Sequence, residues 1–306
     1  MICFLAYRVG LTLPLLLGAA VVIFLAGHYA PGDPVQVLLG DHYTPEAAAH
    51  MRHDLGLDRP FVVQLAAYIV HAAAFDFGVS YVNPARRVRD IVRQTLPISV
   101  RLAACAVLLA TILGVTLGVG AAVYPRSVVD RLIQIGVIAG LSVPSFVTGA
   151  ILVLLFALRW RLLPVAGWGS PQAAVLPVIV LAAAPLAYIT RISRASVRQV
   201  MTEDYVRTAR SKGLRAPAVL LRHVLRNAAL PIVTTVGMAF GYAITGAFVV
   251  EVIFNIPGMA RVAVDAILQR DYTIIQTAVL VYTTLFVVIN LVVDLSYAFL
   301  NPRVRY

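Results

Sequence analysis

Apolar and charged positions fall in long blocks along this chain. Six runs contain no Asp, Glu, Lys or Arg: Val9–Gly32, Leu102–Pro125, Leu132–Leu158, Leu162–Thr190, Asn227–Val250 and Tyr272–Val293. A charge at the bilayer centre is costly, and an α-helix rising 1.5 Å per residue covers a hydrocarbon core of about 30 Å in roughly 20 residues. Each run therefore predicts a membrane span, six in all. The fourth begins with Pro164, Gly167, Gly169 and Pro171, which read as a loop and move its helix toward Ala173–Thr190. Pro144 lies inside the third run and predicts a kink there. The first run follows Arg8 and sits where a signal peptide would. It exceeds the roughly 7–15 apolar residues of a signal core and has no clear small-x-small cleavage site, so a retained span is expected.

Two of the segments between runs should fold. The first, about 31–97, is too long for a simple connection. Thr44-Pro45-Glu46 reads as N-cap, first-turn proline and early acid, with Gly56 as the stop, and Pro60 opens a second helix through Tyr68 toward Ala74. Asp76-Phe77-Gly78 has no companion kinase motifs and reads as a turn. The other segment, Arg191 to Pro231, is basic. Thr202 is placed to cap a helix whose first turn holds Glu203 and Asp204, with Arg207, Arg210 and Lys212 in its latter half and Gly213 closing it. Pro217 starts a second helix leading into the fifth span. Tyr205, Thr208, Ala209 and Lys212 share one face of the first helix by spacing. Two readings fit: a helix that inserts into a partner's groove, or a basic loop on anionic headgroups.

Composition sharpens this picture. The 306 residues are 60% hydrophobic and 13% charged, against about 25% charged in soluble domains. The class is an all-α polytopic membrane protein. The net charge of +11 does not point to nucleic acid, because the arginines are concentrated in loops that orient the chain. The insert carries Arg191, Arg194, Arg198, Arg207, Arg210, Lys212, Arg215, Arg222 and Arg226. Arg8, Arg126, Arg131, Arg303 and Arg305 share its side if there are six spans. Both termini and the insert are thus expected in the cytoplasm and 31–97 outside. Cys3 and Cys105 imply no disulfide framework, and no Cys/His spacing resembles a metal site. Lys212 is the sole lysine and precedes Gly213, so no loop of the G-x-x-x-x-G-K-[ST] kind exists to hold nucleotide phosphates. Any ATP-driven work must therefore draw its energy from another chain. Almost no acid lies at membrane depth, unlike most ion-coupled carriers.

The insert resembles the cytoplasmic coupling loop of type I importer permeases, the membrane subunits of binding-protein-dependent ABC transporters. Arg207, Thr208 and Ala209 stand where that family has an acid and two alanines. Gly213 is in register, and Leu230-Pro231 closes the loop. The arginine and the longer reach to Pro231 resemble the dipeptide/oligopeptide branch, as do Ser211-Lys212-Gly213-Leu214 and Arg222-His223-Val224-Leu225-Arg226-Asn227-Ala228-Ala229-Leu230-Pro231. Further similar segments follow in order: Pro31-Gly-Asp-Pro34, Leu55-Gly-Leu-Asp-Arg-Pro60, Asp76-Phe-Gly-Val-Ser80, Ser142-Val-Pro-Ser-Phe146, Glu251-Val-Ile-Phe254 with Pro257-Gly258, Arg270-Asp-Tyr272 and Asn290-Leu-Val-Val-Asp294. The C-terminal Asn301-Pro-Arg-Val-Arg305 has Asn where the family usually has Asp. Together these resemble the first of the branch's two paired permeases.

The resemblance implies a division of the chain. Residues 1–30 hold the first span, 31–97 an external domain, 98–298 the transporter core with a coupling loop at 191–228, and 299–306 a cytoplasmic tail. It implies a second homologous permease, two ATPase subunits that carry ATP and Mg, and an external peptide-binding protein or lipoprotein, all serving a multi-pass subunit of the cell (inner) membrane with no catalysis of its own. Di- or oligopeptides are the expected cargo; nickel chelates, haem, glutathione or sugars use related permeases. Candidate ATPase-coupling residues are Tyr205, Arg207, Thr208, Ala209, Lys212, Gly213, Leu214, His223, Asn227 and Pro231, of which His223 and Asn227 are expected to brace the loop. Gly237, Gly241, Thr245 and Gly246 form a small-residue stripe on the fifth span, below Glu251. That stripe fits pore lining or close helix packing, with pore lining favoured by the fifth span's position after the coupling loop, and Gly237, Gly241, Thr245, Glu251 and Pro144 are the pore candidates. Asn290, Asp294 and Tyr297, at helical spacing near the end of the sixth span, are expected to make structural interface contacts.

Overall fold

The computed structural model describes residues 2–30 and 33–300. Pro31 and Gly32, the Tyr297 side chain and the Asn301–Arg305 motif lie outside the described residues. Among the described residues the regular structure is helical and joined by turns and loops, with an isolated antiparallel bridge between Val79 and Arg87. The helices are α1 (Ile2–His28), α2 (Pro34–Leu39), α3 (Pro45–Asp54), α4 (Phe61–Ala73), α5 (Val88–Val123), α6 (Val128–Ser142) and α7 (Ser145–Leu152). They continue with α8 (Pro171–Met201), α9 (Asp204–Ser211), α10 (Ala216–Val219), α11 (Leu225–Ile253), α12 (Met259–Gln269) and α13 (Tyr272–Leu300). Two π-helical stretches extend them, Val153–Arg159 after α7 and Leu220–Val224 between α10 and α11. Among the described residues five helices are long and apolar enough to cross a membrane, and α6 with α7 and its π-helical extension makes a sixth if that bent pair is one span.

The local punctuation explains the helix ends. Thr44 Oγ1 accepts the Ala47 N–H at the start of α3, and Gly56 turns with φ +66° just past its end. Pro60 precedes α4 as expected. The third span is broken rather than kinked: α6 and α7 differ in direction by 106°. Val143 precedes a proline and is held extended, with ψ 120°. The Pro144 carbonyl then accepts from the Val147 and Thr148 N–H groups, so a new helix starts. α5 is 36 residues long and contains Pro97. The helix thus begins well before the expected second span, and the proline does not end it.

Two compact units emerge. One comprises Val100–Ile256 and the chain from Ile289; the other comprises Ile2–Ser99 and Pro257–Val288. In the first, α8 pairs most extensively with α11 and also with α6. Small residues allow that closeness. A methyl group added at Gly118 on α5 would lie 2.6 Å from Ser193 Cβ and from the Thr190 carbonyl oxygen on α8. One added at Gly140 on α6 would lie 3.2 Å from Ala187 Cβ. Membrane helices associate largely by such tight backbone approach. In the second unit, Ala20, Ile23 and Leu280 form a buried cluster with Tyr68, Ile69, Ala72 and Phe77 packed on it. Phe24 stacks with His28 and meets Phe61 and Tyr68. The buried Asp271 carboxylate accepts from the Ser80 hydroxyl and the Val82 N–H. This ties the turn after α4 to the start of α13.

Candidate coupling site and translocation face

The basic insert folds as the end of α8, the short helix α9 closed by Gly213, and α10 with its π-helical continuation into α11. α9 is amphipathic over only eight residues. Val206 and Ala209 are three apart and both buried. They join a core of Ala122 from α5, Val197 from α8, and Val219, Val224, Ala228 and Ile232 from the following segment. Thr202 does not cap α9, contrary to expectation. It lies in the αR conformation at the end of α8, and its hydroxyl donates to the Gln199 carbonyl at 2.7 Å. Because α8 continues helically to that point, the side chain bonds back into its own last turn. Glu203 is the residue before α9 and makes no side-chain cap. At the other end the Gly213 N–H donates to the Arg210 carbonyl at 2.9 Å, and Gly213 has φ +78°. The left-handed region suits glycine, which has no Cβ. Pro217 sits in the first turn of α10, as predicted.

The candidate coupling residues therefore divide by side. Ala209 faces inward with Val206, so it roots the helix and is not on its outer surface. Tyr205, Arg207, Thr208, Lys212, Gly213 and Leu214 are exposed. The Thr208 hydroxyl donates to the Asp204 carbonyl at 3.0 Å, and Arg207 lies 3.7 Å from Asp204. That pair is so exposed that it adds little to stability. Asn227 donates to the His223 carbonyl at 2.8 Å and meets the Tyr205 hydroxyl, linking α9 to the start of α11. Desolvation chiefly pushes the Tyr205 hydroxyl above its ordinary pKa, with the Glu203 charge adding to it and Asn227 opposing. Pro231 is exposed one turn further along α11.

The small-residue stripe also divides. Gly237 abuts Val293 of α13, and an added methyl at Gly246 would lie 3.1 Å from Leu181 of α8. Gly241 is buried. These are packing positions. Thr245 is exposed on α11, its hydroxyl donating to the Gly241 carbonyl. Glu251 is fully buried, and Pro144 is exposed at the α6–α7 break. Asn290 and Asp294 are half-buried on α13.

A cavity of about 300 Å³ lies elsewhere on the same helices. It is lined by Leu141 of α6, Ala184, Pro185 and Tyr188 of α8, and Met238, Ala239 and Tyr242 of α11. Met238 and Tyr242 are each 59% exposed, and they share an open stripe of α11 with Thr245 and Val249. The Arg191 guanidinium lies 5.1 Å from the Tyr188 ring centre, one turn from the cavity. Tyr188, Met238 and Tyr242 carried no sequence signal beyond being aromatic or sulfur-bearing within apolar runs.

Comparison with known proteins bears on this arrangement directly. Residues 114–306 match the family described as binding-protein-dependent transport system inner membrane component, and residues 1–103 match the N-terminal part of such membrane components. The chain belongs to this family. It is the permease subunit of a type I ABC importer, of the dipeptide/oligopeptide kind, in a family of multi-pass inner-membrane proteins. The glutathione transport system permease protein GsiC of Salmonella typhimurium is 40% identical over 294 residues, covering 96% of each chain. The corresponding protein of Escherichia coli is 39% identical over the same length and coverage. A solved amino acid ABC transporter with histidines covers 67% of this chain and 92% of its own, with a TM-score of 0.54 at 18% identity. At that identity the likeness establishes the permease fold and nothing finer.

Proposed function

We propose that this permease imports short peptides delivered by an external binding protein, paired with a second homologous permease and driven by two ATPase subunits that hold ATP and Mg. The observation that carries the coupling part is the division of α9: Val206 and Ala209 buried in the permease core, and Tyr205, Arg207, Thr208 and Lys212 presented outward beside Gly213. A short helix rooted on one side and open on the other is suited to a groove in a partner. ATP-driven closure of the ATPases then moves α9, and the pore helices follow. The cytoplasmic placement of the insert and both termini rests on the arginine distribution, with 31–97 as the external segment. Reporter fusions at residue 215 should therefore report cytoplasm and at residue 55 the outside; reversed signals would invert the topology.

The cavity face is our candidate for the translocation path. Tyr188, Met238 and Tyr242 offer aromatic and thioether surface without a fixed charge, and Arg191 lies nearby for a carboxylate. Glutathione is a tripeptide, and the naming of the relatives favours it as a specific cargo within the peptide reading. The test is reconstitution of the whole importer in proteoliposomes with labelled dipeptide, tripeptide and glutathione. ATP-dependent uptake of at least one is expected. Uptake by this chain alone, without ATPases, would overturn the coupling reading. Replacing Tyr242 with Ala should lower uptake about tenfold while assembly persists, as for loss of an aromatic surface that the passing substrate covers. Unchanged uptake would remove Tyr242 from the path.

A further inference from the structure

We propose that Asp130 and Arg194 form a clasp that passes movement of the coupling helix into α6, which makes both of them positioning residues for ATP-driven import. This rests on the coupling reading above. Asp130 is 5% exposed, near the start of α6. Its Oδ1 accepts from Arg194 Nε and its Oδ2 from Arg194 Nη2, each at 2.8 Å. The same Oδ2 accepts from the Arg126 backbone N–H at 3.0 Å. The Asp130 N–H in turn donates to Ser127 Oγ, the cap of α6, at 3.1 Å. One carboxylate thus joins the α5–α6 turn, the first turn of α6 and the arginine of α8. The two-pronged guanidinium–carboxylate geometry is the directional form of an ion pair.

The placement of the pair argues for more than anchoring. From Arg194, α8 runs without a break to Met201, and only Thr202 and Glu203 separate it from α9. An added methyl at Gly118 would lie 3.0 Å from the Arg194 backbone nitrogen, so α5 meets α8 at the level of the clasp. The apolar root of α9 is shared with Ala122 of α5 and Val197 of α8. A displacement of α9 is therefore carried by one rigid helix end to Arg194. The clasp hands it to α6, which leads to the sharp break at Pro144. Without the clasp, the start of α6 loses its polar tie to α8 and the two helices are left joined by apolar packing such as Gly140 against Ala187.

The experiment uses the complete importer in proteoliposomes, comparing wild type with Asp130→Asn, Arg194→Gln and Arg194→Lys. Three quantities are read: co-purification of all subunits, ATP hydrolysis, and substrate imported per ATP hydrolysed. The Asn and Gln variants should assemble and hydrolyse ATP within about twofold of wild type, yet import roughly tenfold less per ATP, because a stranded buried charge lets the paired elements separate. Arg194→Lys keeps the charge but not the fork, and should fall between. Wild-type import per ATP in the Asn and Gln variants would overturn the proposal, as would equal losses of import and hydrolysis. Failure of all three variants to assemble would reduce the pair to a folding staple and overturn it too. A wild-type complex lacking ATP-dependent uptake would instead refute the coupling reading itself.

Discussion

Gly213→Val should leave the importer assembled and hydrolysing ATP while cutting uptake per ATP by about tenfold. The argument is conformational. Gly213 has φ +78°, and an added Cβ there would meet nothing within 4 Å. Steric crowding is thus removed as a cause, and only the backbone penalty remains. A side chain in the left-handed region costs roughly 1–2 kcal/mol, more when β-branched, which corresponds to about a 5- to 30-fold loss of chains holding the turn. The turn sets where α9 ends and where Lys212 and Leu214 point, so its loss disorients the outward surface without touching the root at Val206 and Ala209. Asn tolerates this backbone region, so Gly213→Asn should retain most uptake, Gly213→Ala less and Gly213→Val least. Parallel uptake and hydrolysis assays on the reconstituted complex read the order directly. Wild-type uptake by the Val variant would sink the role given to this turn.

The positions readable from sequence share a property: their signals are local. Thr44, Gly56, Pro60, Gly213 and Pro217 act through backbone dihedrals and near-neighbour hydrogen bonds, and each bounds a helix where expected. The spans were readable because charge is excluded from a bilayer core. What escaped depended on partners distant in sequence. The inward turn of Ala209 follows from a cluster drawn from α5, α8, α10 and α11. The α5 helix begins at Val88 because its first turns also find packing: Val88 is fully buried and Ser99 accepts the Met259 N–H. The face bearing Tyr188, Met238 and Tyr242 was hidden for another reason. In a membrane helix both the packed side and the lipid side are apolar, so the periodic contrast that marks the inner face of a soluble helix is largely missing. The same uniformity left the Gly237–Gly246 stripe ambiguous until its neighbours Val293 and Leu181 were placed.

Two glycines on α5, two residues apart and so on different faces, allow the packing argument to be tested against an internal control. At Gly118 an added methyl would sit 2.6 Å from the Thr190 carbonyl oxygen and 3.0 Å from the Arg194 nitrogen, both backbone atoms that no rotamer change can move. At Gly120 it would meet nothing within 4 Å. Gly118→Ala should therefore force α5 and α8 apart, costing about 1–3 kcal/mol as overpacking does, and Gly118→Leu should abolish the folded permease. Gly120→Ala should be neutral or stabilising by up to about 1 kcal/mol, since alanine is the better helix former. Thermal unfolding in detergent, with the yield of monodisperse protein, separates these outcomes. The displacement at Gly118 would also pull on Arg194, because that residue's backbone nitrogen is one of the crowded atoms. Import per ATP in Gly118→Ala should thus fall further than its loss of stability explains, whereas Gly120→Ala should couple normally. Equal melting temperatures for the two alanine variants would show that α5 and α8 do not approach as closely as described, and the route from α9 through the clasp would lose one of its supports.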